Sequence, residues 1–71
     1  MKTVRFENPP LSFNPQILFV EKQNEINYKI FADGLEIGLI FERNGFWVVN
    51  PHDLPLTEGD KEFLIKAARS L

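Results

Sequence analysis

Seventy-one residues make one domain's worth of chain with no room for a second core. A formal net charge of −2, from 8 basic and 10 acidic residues, argues against general attraction to phosphate backbones or anionic lipid, and the absence of cysteine excludes disulfide staples and thiolate metal sites. A hydrophobic fraction of 44% is too rich for a disordered chain. One core of this size supplies only about 3 to 5 kcal/mol of net stability, so a partner or self-association is the remaining source of buried area.

Residues 1–15 read as a proline-containing arm. Pro9, Pro10 and Pro15 fix φ and bias their predecessors toward extended geometry, so the segment is expected to be extended or turning, with Phe6, Leu11 and Phe13 as its apolar contacts. Its first residues lack the apolar stretch of a signal peptide, and runs such as 17–20 are far too short to cross a membrane. A cytoplasmic location is the expectation.

Residues 16–50 read as a β-meander. Asp33-Gly34 and Asn44-Gly45 interrupt alternating apolar runs, and such dipeptides are strong hairpin signals because both residues take positive φ at little cost. Gln23-Asn24 is a weaker third turn after a strand at 17–21. Three two-residue turns would pair Phe19 with Tyr28, Ile30 with Ile37, and Phe41 with Val48. One face then collects Ile17, Phe19, Ile26, Tyr28, Ile30, Ala32, Leu35, Ile37, Leu39, Phe41 and Val48. After Pro51 and Pro55, which cannot continue a strand interior, spacing turns helical over 57–70. Phe63, Leu64, Ala67, Ala68 and Leu71 form a stripe, Thr57 suits the N-cap, Glu58 and Asp60 sit in the first turn, and Lys66 and Arg69 sit in the last. The fold class is therefore α+β: an antiparallel β-meander of three to four strands with one C-terminal helix packed on one face.

The opposite face is mixed in this register. Leu18, Val20, Phe31, Ile40, Trp47 and Val49 lie among Lys22, Asn27, Lys29, Glu36 and Glu42, with Gly38 leaving a notch opposite Lys29. Two arrangements compete for it. The arm folds back and covers it with Val4, Phe6, Leu11 and Phe13, as sheets bury what they can. Alternatively it stays open as a partner site, with Trp47 as anchor, Phe31, Ile40 and Val49 as apolar surround, and Lys29, Glu36 and Glu42 as polar rim.

Little else carries chemistry. His52, the one histidine, has neither a nucleophile nor further ligands in its loop, and reads as an exposed turn residue. The carboxylates are accounted for by capping, cross-strand pairing and solubility. The four glycines are scattered and build no phosphate loop. No catalytic, cofactor or metal site is expected. Sheet aromatics offer a platform for unpaired bases, with Lys22, Lys29 and Arg43 near phosphates, but the acidic balance disfavours nucleic acid.

The run from Tyr28-Lys29-Ile30-Phe31 through Asp33-Gly34, Ile37-Gly38 and Gly45-Phe46-Trp47 to the C-terminal helix resembles the short, motif-poor orphan proteins carried by phages and prophages, including anti-CRISPR inhibitors. The resemblance covers about two thirds of the chain. It implies a non-enzymatic module that binds and inhibits a host protein. A nucleic-acid-binding domain and a homo-oligomer, including a homodimer, are the alternative readings.

Overall fold

The computed structural model describes residues 2–71, and Met1 lies outside the described residues. The chain runs β1 (Thr3–Glu7), β2 (Ile17–Lys22), β3 (Asn27–Ala32), β4 (Leu35–Arg43), β5 (Phe46–Pro51) and α1 (Glu58–Arg69). The strands pair in chain order as one antiparallel five-stranded sheet, and α1 lies on one face of it against β2 and β5. The α+β meander with its C-terminal helix is as expected. The strand number is five, not three to four, because 3–7 pairs with β2, placing Val4 opposite Val20 and Phe6 opposite Leu18.

The rest of the arm is a compact loop on the helix side. Asn8 and Asn14 take φ of 48° and 52°, a left-handed geometry that Asn tolerates better than most residues, and Asn8 N–H donates to the Gln16 carbonyl at 2.7 Å to close the loop. Leu11 is buried at its centre. Ser12 donates from its N–H and its hydroxyl to the carboxylate of Asp60, which fastens the loop to the first turn of α1.

Two of the three expected turns form as two-residue reversals: Asp33 and Gly34 have φ of 50° and 85°, Asn44 and Gly45 of 53° and 83°. Gln23-Asn24 does not. The loop there is 24–26, closed by Gln23 N–H to the Asn27 carbonyl, with the Asn24 side chain accepting from the N–H groups of Ile26 and Asn27. Phe19 accordingly faces Phe31, not Tyr28, and Val20 faces Ile30. The shift is three residues, and an odd shift turns every side chain of β2 to the other face.

A second correction lies in β4. Ala32 pairs with Leu35 and Phe31 with Glu36, as the Asp33-Gly34 turn requires, but Ile30 pairs with Gly38. Ile37 is the extra residue of a β-bulge, its carbonyl accepting from His52 N–H at 2.9 Å. Beyond the bulge Tyr28 faces Ile40, and β5 follows β4 through the expected Phe41–Val48 pairing. One residue thus reverses the outer half of β4 and all of β5.

The helix side of the sheet therefore carries Leu18, Val20, Tyr28, Ile30, Ala32, Ile40 and Val49, all buried against Leu64, Ala67 and Ala68 of α1 and Leu11 of the loop. The helical stripe packs as its spacing predicts. Phe6 meets Phe63 edge-on at 5.0 Å, tying β1 to the helix.

Gly38 is not a surface notch opposite Lys29; it is buried between Ile30 and Pro51. A Cβ placed there would lie 2.9 Å from the Asn50 carbonyl oxygen and 3.0 Å from Pro51 Cα. Both are backbone atoms and neither can rotate away. Gly38→Ala is expected to cost about 1 to 3 kcal/mol through overpacking, read as a lower urea midpoint at unchanged slope. A midpoint equal to the parent's would contradict this.

Candidate functional site

Among the described residues, the face away from α1 is covered by no second layer. In cross-strand rows it presents Arg5, Phe19, Phe31 and Glu36; Thr3, Glu21, Lys29, Leu39 and Asn50; then Asn27, Phe41 and Val48; and at its far end Arg43 with Phe46. Phe46 is 75% exposed and Val48 55%, whereas Phe19, Phe31, Leu39 and Phe41 are half-buried.

Two hollows shape the face. One of about 470 Å³ is lined by Thr3, Phe19, Glu21, Phe31 and Gly34. The other, about 450 Å³, is lined by Ile26, Asn27, Phe41, Glu42, Arg43 and Val48. Lys29 and Leu39, opposite each other on β3 and β4, stand between them.

The charged rim is internally paired. Lys29 Nζ lies 3.6 Å from Glu36 Oε1, His52 Nε2 lies 2.7 Å from Glu36 Oε2, and Arg5 meets Glu7 at 2.9 Å. The His52 hydrogen bond, with the Lys29 charge adding to it and slight burial opposing, holds the Glu36 carboxyl below its ordinary range. His52 is therefore exposed, as read from sequence, but has a partner that the sequence did not reveal.

The seven residues expected to form one contact surface are divided by the sheet. Phe31, Lys29 and Glu36 lie together on the uncovered face. Ile40 is fully buried and Val49 nearly so, beneath α1 and the loop. Trp47 is on the helix side as well, half-buried, its ring 5.5 Å from that of Tyr28. Glu42 accepts from Gly45 N–H at 2.8 Å and serves its own turn. The cause is the pair of odd register shifts, one at 24–26 and one at Ile37, which exchange the faces of β2, outer β4 and β5 relative to β3.

Phe19, Leu39, Phe41, Val48 and Phe46 belong to the uncovered face and were not among the expected contacts. Alternation alone could not single them out, because β2, β4 and β5 carry large apolar residues at both parities. Among the described residues no cluster of acidic, histidine or cysteine side chains is arranged to hold a metal, and no helix is long and apolar enough to cross a membrane. Comparisons with protein-family models, with curated proteins and with solved structures gave no significant match.

Proposed function

We propose that the chain is a non-enzymatic protein-binding module whose contact surface is the uncovered sheet face, with Phe19, Phe31, Leu39 and Phe41 as its apolar centre and Lys29, Glu36 and Arg5 as polar neighbours. The observation carrying this reading is a set of aromatic and aliphatic side chains, Phe19, Phe31, Leu39 and Phe41, between two hollows on the uncovered face of a domain whose other face is already packed. Aromatic side chains at the centre of such a patch carry most of the binding energy. An inhibitor of a host protein, the role that the phage-protein resemblance implies, is the narrower form of the proposal.

The aromatic row also favours a second reading, stacking of unpaired bases on Phe19 and Phe31 beside Arg5 and Lys29. Charge weighs against it. Arg5, Lys29 and Arg43 share the face with Glu7, Glu21 and Glu36, so it offers phosphates no net attraction. Oligonucleotide affinity that falls steeply with added salt would establish this second reading; no binding at low salt would remove it.

The test of the first reading is retention of a partner on immobilised protein, compared between the parent, a Phe19→Ser/Phe31→Ser variant and a Lys66→Glu variant on the far side of α1. The double variant is expected to weaken retention by roughly 30-fold or more, the equivalent of one hot spot of about 2 kcal/mol. Thermal melts recorded alongside identify loss through unfolding. Retention that survives the double variant and is lost with Lys66→Glu would overturn the proposal.

A further inference from the structure

The two edges of the sheet differ in a way that the binding-face reading does not use. Edge strands are usually blunted by charge, brevity, bulges or cover, because their free backbone groups invite another strand. β1 is blunted: five residues long, it carries Arg5 and Glu7, paired with each other and exposed. β5 is not. Its sequence Phe-Trp-Val-Val-Asn-Pro contains no charged residue, and it exposes Phe46 and Val48.

The backbone of β5 has a definite polarity. The two-residue turn at Asn44-Gly45 makes Arg43–Phe46 the closing hydrogen-bonded pair, so Phe46, Val48 and Asn50 direct their N–H and C=O groups toward β4. The bond from His52 N–H to the Ile37 carbonyl continues the same parity. Trp47 and Val49 must then direct theirs outward. Among the described residues no hydrogen bond from a turn, loop or side chain reaches the backbone groups of either residue, and no strand lies beyond β5.

We propose that this edge pairs with the same edge of a second copy of the chain, antiparallel and centred on Val48. In that register Trp47 of each copy exchanges two hydrogen bonds with Val49 of the other, so all four outward N–H groups and all four outward carbonyls of these residues are satisfied. Centring on Val49 instead would set Trp47 against Pro51, which has no N–H to give. Centring on Trp47 would run Val49 against the turn glycine. The Val48-centred register alone uses every free donor, and it is self-complementary, as a two-fold interface requires.

The pairing also has a consequence for the surface. Val48 meets its own symmetry mate at a non-hydrogen-bonded position and Phe46 lies beside Asn50 of the other copy, all on the uncovered side. Two five-stranded sheets become one of ten strands, and the two uncovered faces become continuous. Two short strands bury less than a standard interface, so the dimer is reversible and concentration-dependent.

Sedimentation of the purified chain tests this, with mass expected to rise from 8.2 kDa toward twice that value as concentration increases, and to remain monomeric for Val48→Lys, which places like charges at the axis. The native chain lacks cysteine, so single-cysteine variants report the register without background. Val48→Cys is expected to form a covalent dimer on mild oxidation, since directly opposed residues at a non-hydrogen-bonded position have Cα atoms about 4.5 Å apart, within disulfide range. Phe46→Cys should not, because its mates would be roughly 13 Å apart along the strands. Circular dichroism of each variant confirms folding. A monomer at the highest concentration, self-association unaffected by Val48→Lys, or cross-linking of Phe46→Cys in preference to Val48→Cys would each overturn the proposal. None of these results depends on the binding partner, whose test uses Phe19 and Phe31.

Discussion

Ile40→Ala is expected to leave the chain largely unfolded at 25 °C. Ile40 is fully buried, faces Tyr28 on one side and Val49 on the other, and sits in the core beneath α1 and the loop. Removing its outer carbons forfeits transfer free energy and leaves a cavity, a combined cost of about 2 to 5 kcal/mol. A domain this small has about 3 to 5 kcal/mol in total, so one side chain is comparable to the whole margin. Val48→Ala, one strand away on the uncovered side, should shift stability by less than about 0.5 kcal/mol. Far-ultraviolet circular dichroism without denaturant reads the folded fraction of both variants, and urea unfolding measures the cost wherever a folded baseline remains. Equal costs at the two positions, or the larger one at Val48, would mean that Val48 and not Ile40 faces the helix.

Asp60→Ala should be nearly as damaging, for an electrostatic reason. The carboxylate is 2% exposed and closes a capping box: its own N–H donates to Thr57 Oγ1 at 3.1 Å, and its Oδ2 accepts from Thr57 N–H at 3.0 Å. It also accepts from Ser12 N–H at 2.8 Å and from the Ser12 hydroxyl. Truncation removes half of the box and leaves the part-buried Ser12 and Thr57 donors without an acceptor. Loss of the cap and of these bonds together amounts to about 2 to 4 kcal/mol. The first turn of α1 and the loop over Leu11 should loosen together, read as faster amide exchange at both.

The same carboxylate gives the fold an acid limit. Burial opposes ionisation of Asp60, but the hydrogen bonds from Ser12 and Thr57 outweigh it, so its folded pKa lies below its ordinary value. The unfolded chain then binds more protons in that window, and stability rises with pH. Asp60's contribution is fully present above the unfolded value of about 3.9 and is lost as pH falls through the lower folded value. Glu36, depressed chiefly by His52, acts in the same direction on the uncovered side. Between pH 5 and 2 the parent should lose stability more steeply than Asp60→Asn, whose amide does not titrate. Parallel profiles would show that Asp60 is not the group responsible.

The binding reading and the edge-pairing reading share a cause. Six of the nine residues of β4 and all six of β5 are uncharged, yet a helix of 12 residues covers only one face of five strands. Burial of that one face is enough to fold the chain and leaves an apolar surface of the other.

What could be read from the residues was local. Asp33-Gly34 and Asn44-Gly45 determined two hairpins, because their positive φ needs no tertiary support. The Leu64, Ala67 and Ala68 stripe behind Thr57 determined the helix and its buried side, because capping and 3.6-residue spacing are likewise properties of neighbours in sequence. Strand parity was not local. With apolar residues on both sides of β2, β4 and β5, the hydrophobic pattern tolerated either register, and packing chose between them. Ile37 bulges out so that Gly38 can admit the β5 backbone, Asn24 holds a longer loop than a two-residue turn, and Ser12 reaches Asp60 across 48 positions of chain. The first two, a bulge and a loop invisible to periodicity, decided that Trp47, Ile40 and Val49 face the helix and that Phe19, Leu39, Phe41 and Val48 do not; the third fastens the arm over the helix side.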